Sequence, residues 1–207
     1  MTERSQESIA PRIVALIFGR HADYVWGLRF LLLLSLILFL FSLSMGFYFG
    51  DRIPGDTLND VLESAFPELE NMSPLTLFLF VFFNNVIKNF VWMVLGAFFS
   101  FPSLLFTALN GFIMGWLSYS VQQEHGLLFA LAGLVPHGVI EIPLMLLSSA
   151  AGMSLGYQMI NRLRRRSGLK AEFLRAISLF IWRITPLLFF TAVIEMTVTP
   201  MFMSMVS

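Results

Sequence analysis

Lys88 stands in a polar cluster, Asn84, Asn85, Lys88 and Asn89, inside an apolar run from Leu75 to Phe99, and Pro136-His137-Gly138 with Glu141 interrupts another such run. Asn110 and Arg183 place polar groups in two further apolar stretches. A charged side chain at the middle of a membrane helix costs about 2.5–3.5 kcal/mol on insertion scales, so such groups face a bundle interior, a wet cavity or one another. Two chemistries fit them. One is hydrogen bonding that ties helices together, worth about 0.6–2 kcal/mol per contact. The other is a site that handles a ligand, an ion or a proton. Asn85, Lys88 and Asn89 fall at i, i+3 and i+4 and share a helix face, as do His137 and Glu141 at i and i+4 if a helix resumes at Pro136. A buried Lys88 requires a counter-charge, for which Glu141 is the first candidate.

Other chemistries find less support. A zinc site takes three or four protein ligands, there is no HExxH, and the remaining histidines, His21 and His125, fall at opposite membrane edges. The chain has no cysteine, which removes disulfides, thiolate metal sites and cysteine nucleophiles. No Ser or Thr lies in a recognisable nucleophile motif with a base. The expectation is therefore a protein without enzymatic activity, metal or cofactor.

The elements that position these residues are membrane spans. Hydrophobic residues make up 57% of the 207 and charged residues 13%, against about 45–50% and about 25% in soluble domains. Apolar runs at Leu28–Phe49, Leu75–Phe99, Ser103–Val121, Leu127–Ile160 and Ile177–Thr197 predict an all-α bundle of five transmembrane helices. The first is too long for the core of a secretory signal and reads as a retained helix. Ahead of it, Ile9, Ile13, Leu16 and Ile17 recur at helical spacing beside Arg12 and Arg20, which fits an interfacial helix or a helix packed on the bundle. Residues 1–27 thus form an N-terminal interfacial segment, and 28–207 a single transmembrane domain. The Leu127–Ile160 run of 34 residues would span about 51 Å against a ~30 Å hydrocarbon core. Pro136, Gly138 and Pro143 are its local breakers, predicting a break near Pro136 or a proline kink in an overlong helix.

The formal net charge of zero conceals segregation of sign. Loop 50–74 is acidic, with Leu58, Val61, Leu62, Ala65 and Phe66 spaced for a short helix, whereas loop 161–175 is densely basic. By the positive-inside rule the basic loop and the N-terminus are cytoplasmic in a multi-pass protein of the cell membrane, and the acidic loop faces outward. The basic run abuts the membrane, so it suits lipid headgroups or a partner protein; no nucleic-acid partner is expected. With these boundaries Lys88, Asn110, Glu141 and Arg183 fall in one slab somewhat inward of the midplane, at about 1.5 Å per residue. Gly111 and Gly115 form one GxxxG and Gly152 and Gly156 another, for close pairing inside the bundle or across a homo-oligomer interface.

Asn84-Asn85, Gly96, Asn110-Gly111 with Gly115, Pro136-His137-Gly138 with Glu141, then Gly152 and Gly156 together resemble the stage II sporulation protein M family of multispan membrane proteins. Pro-His-Gly followed three residues on by Glu is the most distinctive element, and the resemblance is strongest from Leu75 to Ile160. It implies a membrane subunit that works with envelope partners; in sporulating bacteria these include a hydrolase, in a complex that remodels peptidoglycan during engulfment. Members also occur in organisms that do not sporulate, and the family has no established catalytic residues to carry over. Two functions follow as expectations: a scaffold that organises an envelope complex, and an ion, proton or small-solute transporter or channel built on the intramembrane polar groups.

Overall fold

The computed structural model describes residues 9–53, 72–164 and 168–206, and their side chains except over 9–13, 132–137 and 198–206. The expected helix across Leu58–Phe66 and the side chains of Pro136 and His137 lie outside this range. In hydrocarbon every backbone N–H and C=O must be satisfied within the chain, and the described residues answer with helices. They are α1 (Ile9–Phe18), α2 (Ala22–Gly27), α3 (Arg29–Tyr48), α4 (Pro74–Leu95), α5 (Phe101–His125), α6 (Leu127–Leu163), α7 (Leu169–Leu179) and α8 (Thr185–Val206). Five helical stretches among the described residues are long and apolar enough to cross a membrane, the last running from α7 into α8.

The organising element is α6. In the most apolar 18 residues of its span Gly138–Leu163, 67% are buried, against 17–33% in the corresponding stretches of the other four crossings, so the other helices pack around it. Its Leu147, Ala151 and Leu155 meet Met93 of α4, Leu179, Ile184 and Leu188 of the last crossing, and Val25 and Leu28. The outer faces are apolar at helical spacing, as with Phe30, Leu33, Ile37, Leu40 and Phe41 of α3, all exposed in the isolated chain. Such stripes match acyl chains.

The break expected near Pro136 is not present. Helix α6 continues through Pro136 and Pro143 for 37 residues, about 55 Å at 1.5 Å per residue. Each proline removes one backbone donor, and a helix this long tolerates the loss when the surrounding turns stay bonded. The last crossing is where regularity yields. Phe180–Ile184 forms a π-turn, just ahead of Pro186, which has no N–H to give the Trp182 carbonyl. Helix also covers 161–163 and 169–175 of the predicted basic loop, of which 165–167 lie outside the described residues.

The α4–α5 turn is tight. Phe99 and Ser100 both adopt the left-handed conformation, at φ 57° and 66°, which is unfavourable for residues with a Cβ. Local bonds hold it: the Ser100 N–H donates to the Gly96 carbonyl at 2.8 Å, and Ser100 Oγ donates to the Met153 carbonyl at 2.9 Å.

Candidate functional site

The polar cluster of α4 divides over two faces. Asn85, Asn89 and Met93 follow one another at i+4 and are buried, so they mark the inward line. Asn85 Nδ2 donates to Glu141 Oε2 of α6 at 3.0 Å, joining two crossings. Asn89 Nδ2 donates to the Asn85 carbonyl at 2.8 Å, while its Oδ1 is buried with no hydrogen-bond partner among the described residues.

Lys88 does not form the expected ion pair with Glu141. It lies about 60° round the helix from Asn85, toward Asn84, and is half-buried; among the described residues it forms no ion pair with the carboxylate, which accepts from Asn85. Asn84 faces outward still more, lining a shallow hollow with Leu79, Phe83 and Ile87. The shared face expected for Asn85, Lys88 and Asn89 therefore holds for the two asparagines alone.

Asn110 and Arg183 stay apart from this pair. Asn110 Nδ2 donates to the Phe106 carbonyl of its own helix at 2.8 Å. Arg183 rides the π-turn to the N-terminal segment, where a Cβ on Gly19 would lie 2.7 Å from its Nη2. A depth count cannot reveal this, because it fixes height along a helix but not direction around it.

Hydroxyl groups that the sequence reading did not single out form a second tie. Thr107 Oγ1 and Ser149 Oγ lie 2.6 Å apart, Ser149 Oγ donates to the Ser103 carbonyl at 2.8 Å, and Ser103 Oγ donates to the Trp92 carbonyl at 3.0 Å. Helices α4, α5 and α6 are thereby linked through buried residues. The glycines bring their backbones close enough. A Cβ on Gly115 would lie 2.0 Å from the Leu43 carbonyl oxygen, one on Gly111 2.6 Å from that of Phe39, and one on Gly152 2.8 Å from that of Met93. Gly156 meets the α4–α5 turn in the same way, so both GxxxG motifs face helices of this chain. Gly138 is different: among the described side chains its nearest neighbour is the flexible Ile142 Cδ1 at 3.4 Å.

A third cluster occupies the end of the bundle where α6 ends and α7 begins. Glu172 of α7 and His21 are each 7% exposed. Tyr24 Oη donates to Glu172 Oε1 at 2.9 Å, the Ser154 hydroxyl donates to the same oxygen, and His21 Nε2 meets Ser178 Oγ at 3.0 Å. Burial and the adjacent Glu172 carboxylate hold the Tyr24 phenol well above its ordinary range. The available signal was one acidic residue in an otherwise basic stretch; read as loop, it drew no partner. Among the described residues no three His, Asp or Glu gather as a metal-ligand set.

Burial, then Arg20 and Arg183, depress the His21 pKa below its ordinary value. The unfolded chain then binds the extra proton first, so the contribution of His21 is complete above about pH 6.5 and declines as pH falls toward the folded pKa. Thermal unfolding in detergent between pH 8 and pH 5 should show the loss, and His21→Gln should flatten it. An unchanged slope in the variant would place the titration elsewhere.

A family profile described as Stage II sporulation protein M matches residues 35–200. Two curated relatives come from Methanocaldococcus jannaschii. Uncharacterized protein MJ0706 is 31% identical over 133 residues, covering 62% of this chain and 58% of its own length. Uncharacterized protein MJ0793 is 29% identical over 128 residues, covering 60% of this chain and 70% of its own. The match thus spans somewhat more than half of the first relative. No solved structure matches the chain. The profile match, which takes in all five crossings from within α3 to within α8, shows that the chain belongs to the stage II sporulation protein M family.

Proposed function

We propose that this protein is a non-catalytic membrane subunit that holds partner proteins in a cell-envelope complex, as a fixed platform. The supporting observation is the use made of its polar interior: Asn85 with Glu141, and Ser103, Thr107 and Ser149 with one another, bond helix to helix. Such ties favour a single rigid arrangement over one that rocks between states. Co-purification from native membranes tests this. A stable companion protein is expected; a chain recovered alone in repeated preparations contradicts it.

In this reading the N-terminus and the basic loop lie on the cytoplasmic side, as the positive-inside rule expects. Cysteine introduced at Gly168 of the cysteine-free chain should react with an impermeant reagent only after the cells are opened; labelling of intact cells reverses the orientation.

The Asn85–Glu141 pair supports a second reading, ion or proton passage through an oligomer, because a carboxylate amid crossings is a common element of such routes. Proteoliposome flux that disappears in Glu141→Gln would favour it over the platform.

A further inference from the structure

An open cleft of about 740 Å³ separates the N-terminal segment from α7, lined by Arg20, Asp23, Tyr24, Glu172, Arg175 and Ser178, with His21 and Ser154 at its wall. Its depth is marked by aromatic side chains. Trp26 and Trp182 are exposed, and Arg29 and Arg20 lie over them at 5.4 and 5.9 Å, the pairing expected where a bundle meets lipid headgroups.

Two buried groups at this cleft have unused capacity. Tyr24 and Ser154 both donate to Glu172 Oε1, leaving Oε2 with neither. His21 Nδ1 makes no hydrogen bond of good geometry, its nearest acceptor being the Phe18 backbone. The lining carries both signs, two arginines against two carboxylates. A wholly anionic headgroup would meet the buried Glu172, and a cation alone would meet Arg20 and Arg175. A group bearing both charges satisfies all of them.

The geometry points to a binding site for a zwitterionic phospholipid with a primary ammonium group, of the phosphoethanolamine type, its phosphate on Arg20 and Arg175 and its ammonium on Glu172. The primary amine matters because Glu172 Oε2 needs an N–H donor, which a quaternary choline lacks. This site is independent of whether the protein acts as a platform or a conduit.

Native mass spectrometry of the full chain, titrated with phosphatidylethanolamine, phosphatidylcholine and phosphatidylglycerol, tests it. Phosphatidylethanolamine should be retained about tenfold over each of the others, the size of one charge-assisted hydrogen bond. Glu172→Gln keeps the shape and both hydroxyl contacts and should erase the preference over phosphatidylcholine. Arg175→Gln, at the rim, should weaken phosphatidylethanolamine and phosphatidylcholine alike and keeps the test open if the Glu172 variant does not fold. Equal or stronger retention of phosphatidylglycerol by the wild type, or an unchanged preference in Glu172→Gln, overturns the assignment. Displacement of the lipid by soluble glycerophosphoethanolamine at matched concentration would also overturn it, reassigning the cleft to a free solute.

Discussion

Gly156→Ala is expected to lower the unfolding temperature of the bundle sharply, with a loss in the upper part of the roughly 1–3 kcal/mol typical of overpacking. The new Cβ would lie 2.2 Å from the Ser100 backbone nitrogen and 2.6 Å from the Gly96 carbonyl oxygen. Neither is the free end of a side chain. Ser100 is also committed to its left-handed turn and to the Met153 carbonyl, so the clash cannot be relieved without disturbing bonds that hold α4 and α5 against α6. Gly27→Ala is the control: nothing among the described residues lies within 4 Å of its added Cβ, and alanine in a helix gains up to about 1 kcal/mol over glycine. Thermal unfolding of both variants in detergent checks the contrast. Equal behaviour would mean that the α4–α5 turn does not pack on α6 as described.

The second large effect is expected at Glu141. Alanine there leaves the buried Asn85 amide without its acceptor, and an unmade bond of a buried group costs about 1–3 kcal/mol. The damage travels through Asn85 and not through Lys88, which has no ion pair with this carboxylate to lose. Glu141→Gln, which keeps an acceptor oxygen, should recover most of the stability. Loss of stability in Ala with recovery in Gln marks Glu141 as a tie between α4 and α6; equal losses in both would show that the negative charge itself is required.

The crossings were legible because each needs some twenty apolar residues in a row, and charges at the connectors set their ends. The two GxxxG motifs were legible as close-approach positions, yet the sequence did not say which backbone each would meet. Direction around α4 was harder to read. Asn85 and Lys88 differ by about 60°, which a spacing rule of i, i+3, i+4 treats as one face, while the choice between them depends on where α6 passes. Pro136 read as a breaker because a proline in isolation disrupts a helix, whereas the backbone of α6 runs on through it. The neighbours of Arg183 and Glu172 were hidden for a common reason. The N-terminal segment folds back beside α7, and a contact between residues more than 140 apart leaves no local pattern.

The platform account stands on buried polar groups bonding one crossing to another. A double-mutant cycle on unfolding in detergent, with Asn85→Ala, Glu141→Ala and the combination, measures that bond directly. The expected coupling is about 0.6–2 kcal/mol. Losses that simply add, within about 0.3–0.5 kcal/mol, would mean that the two side chains do not act on each other.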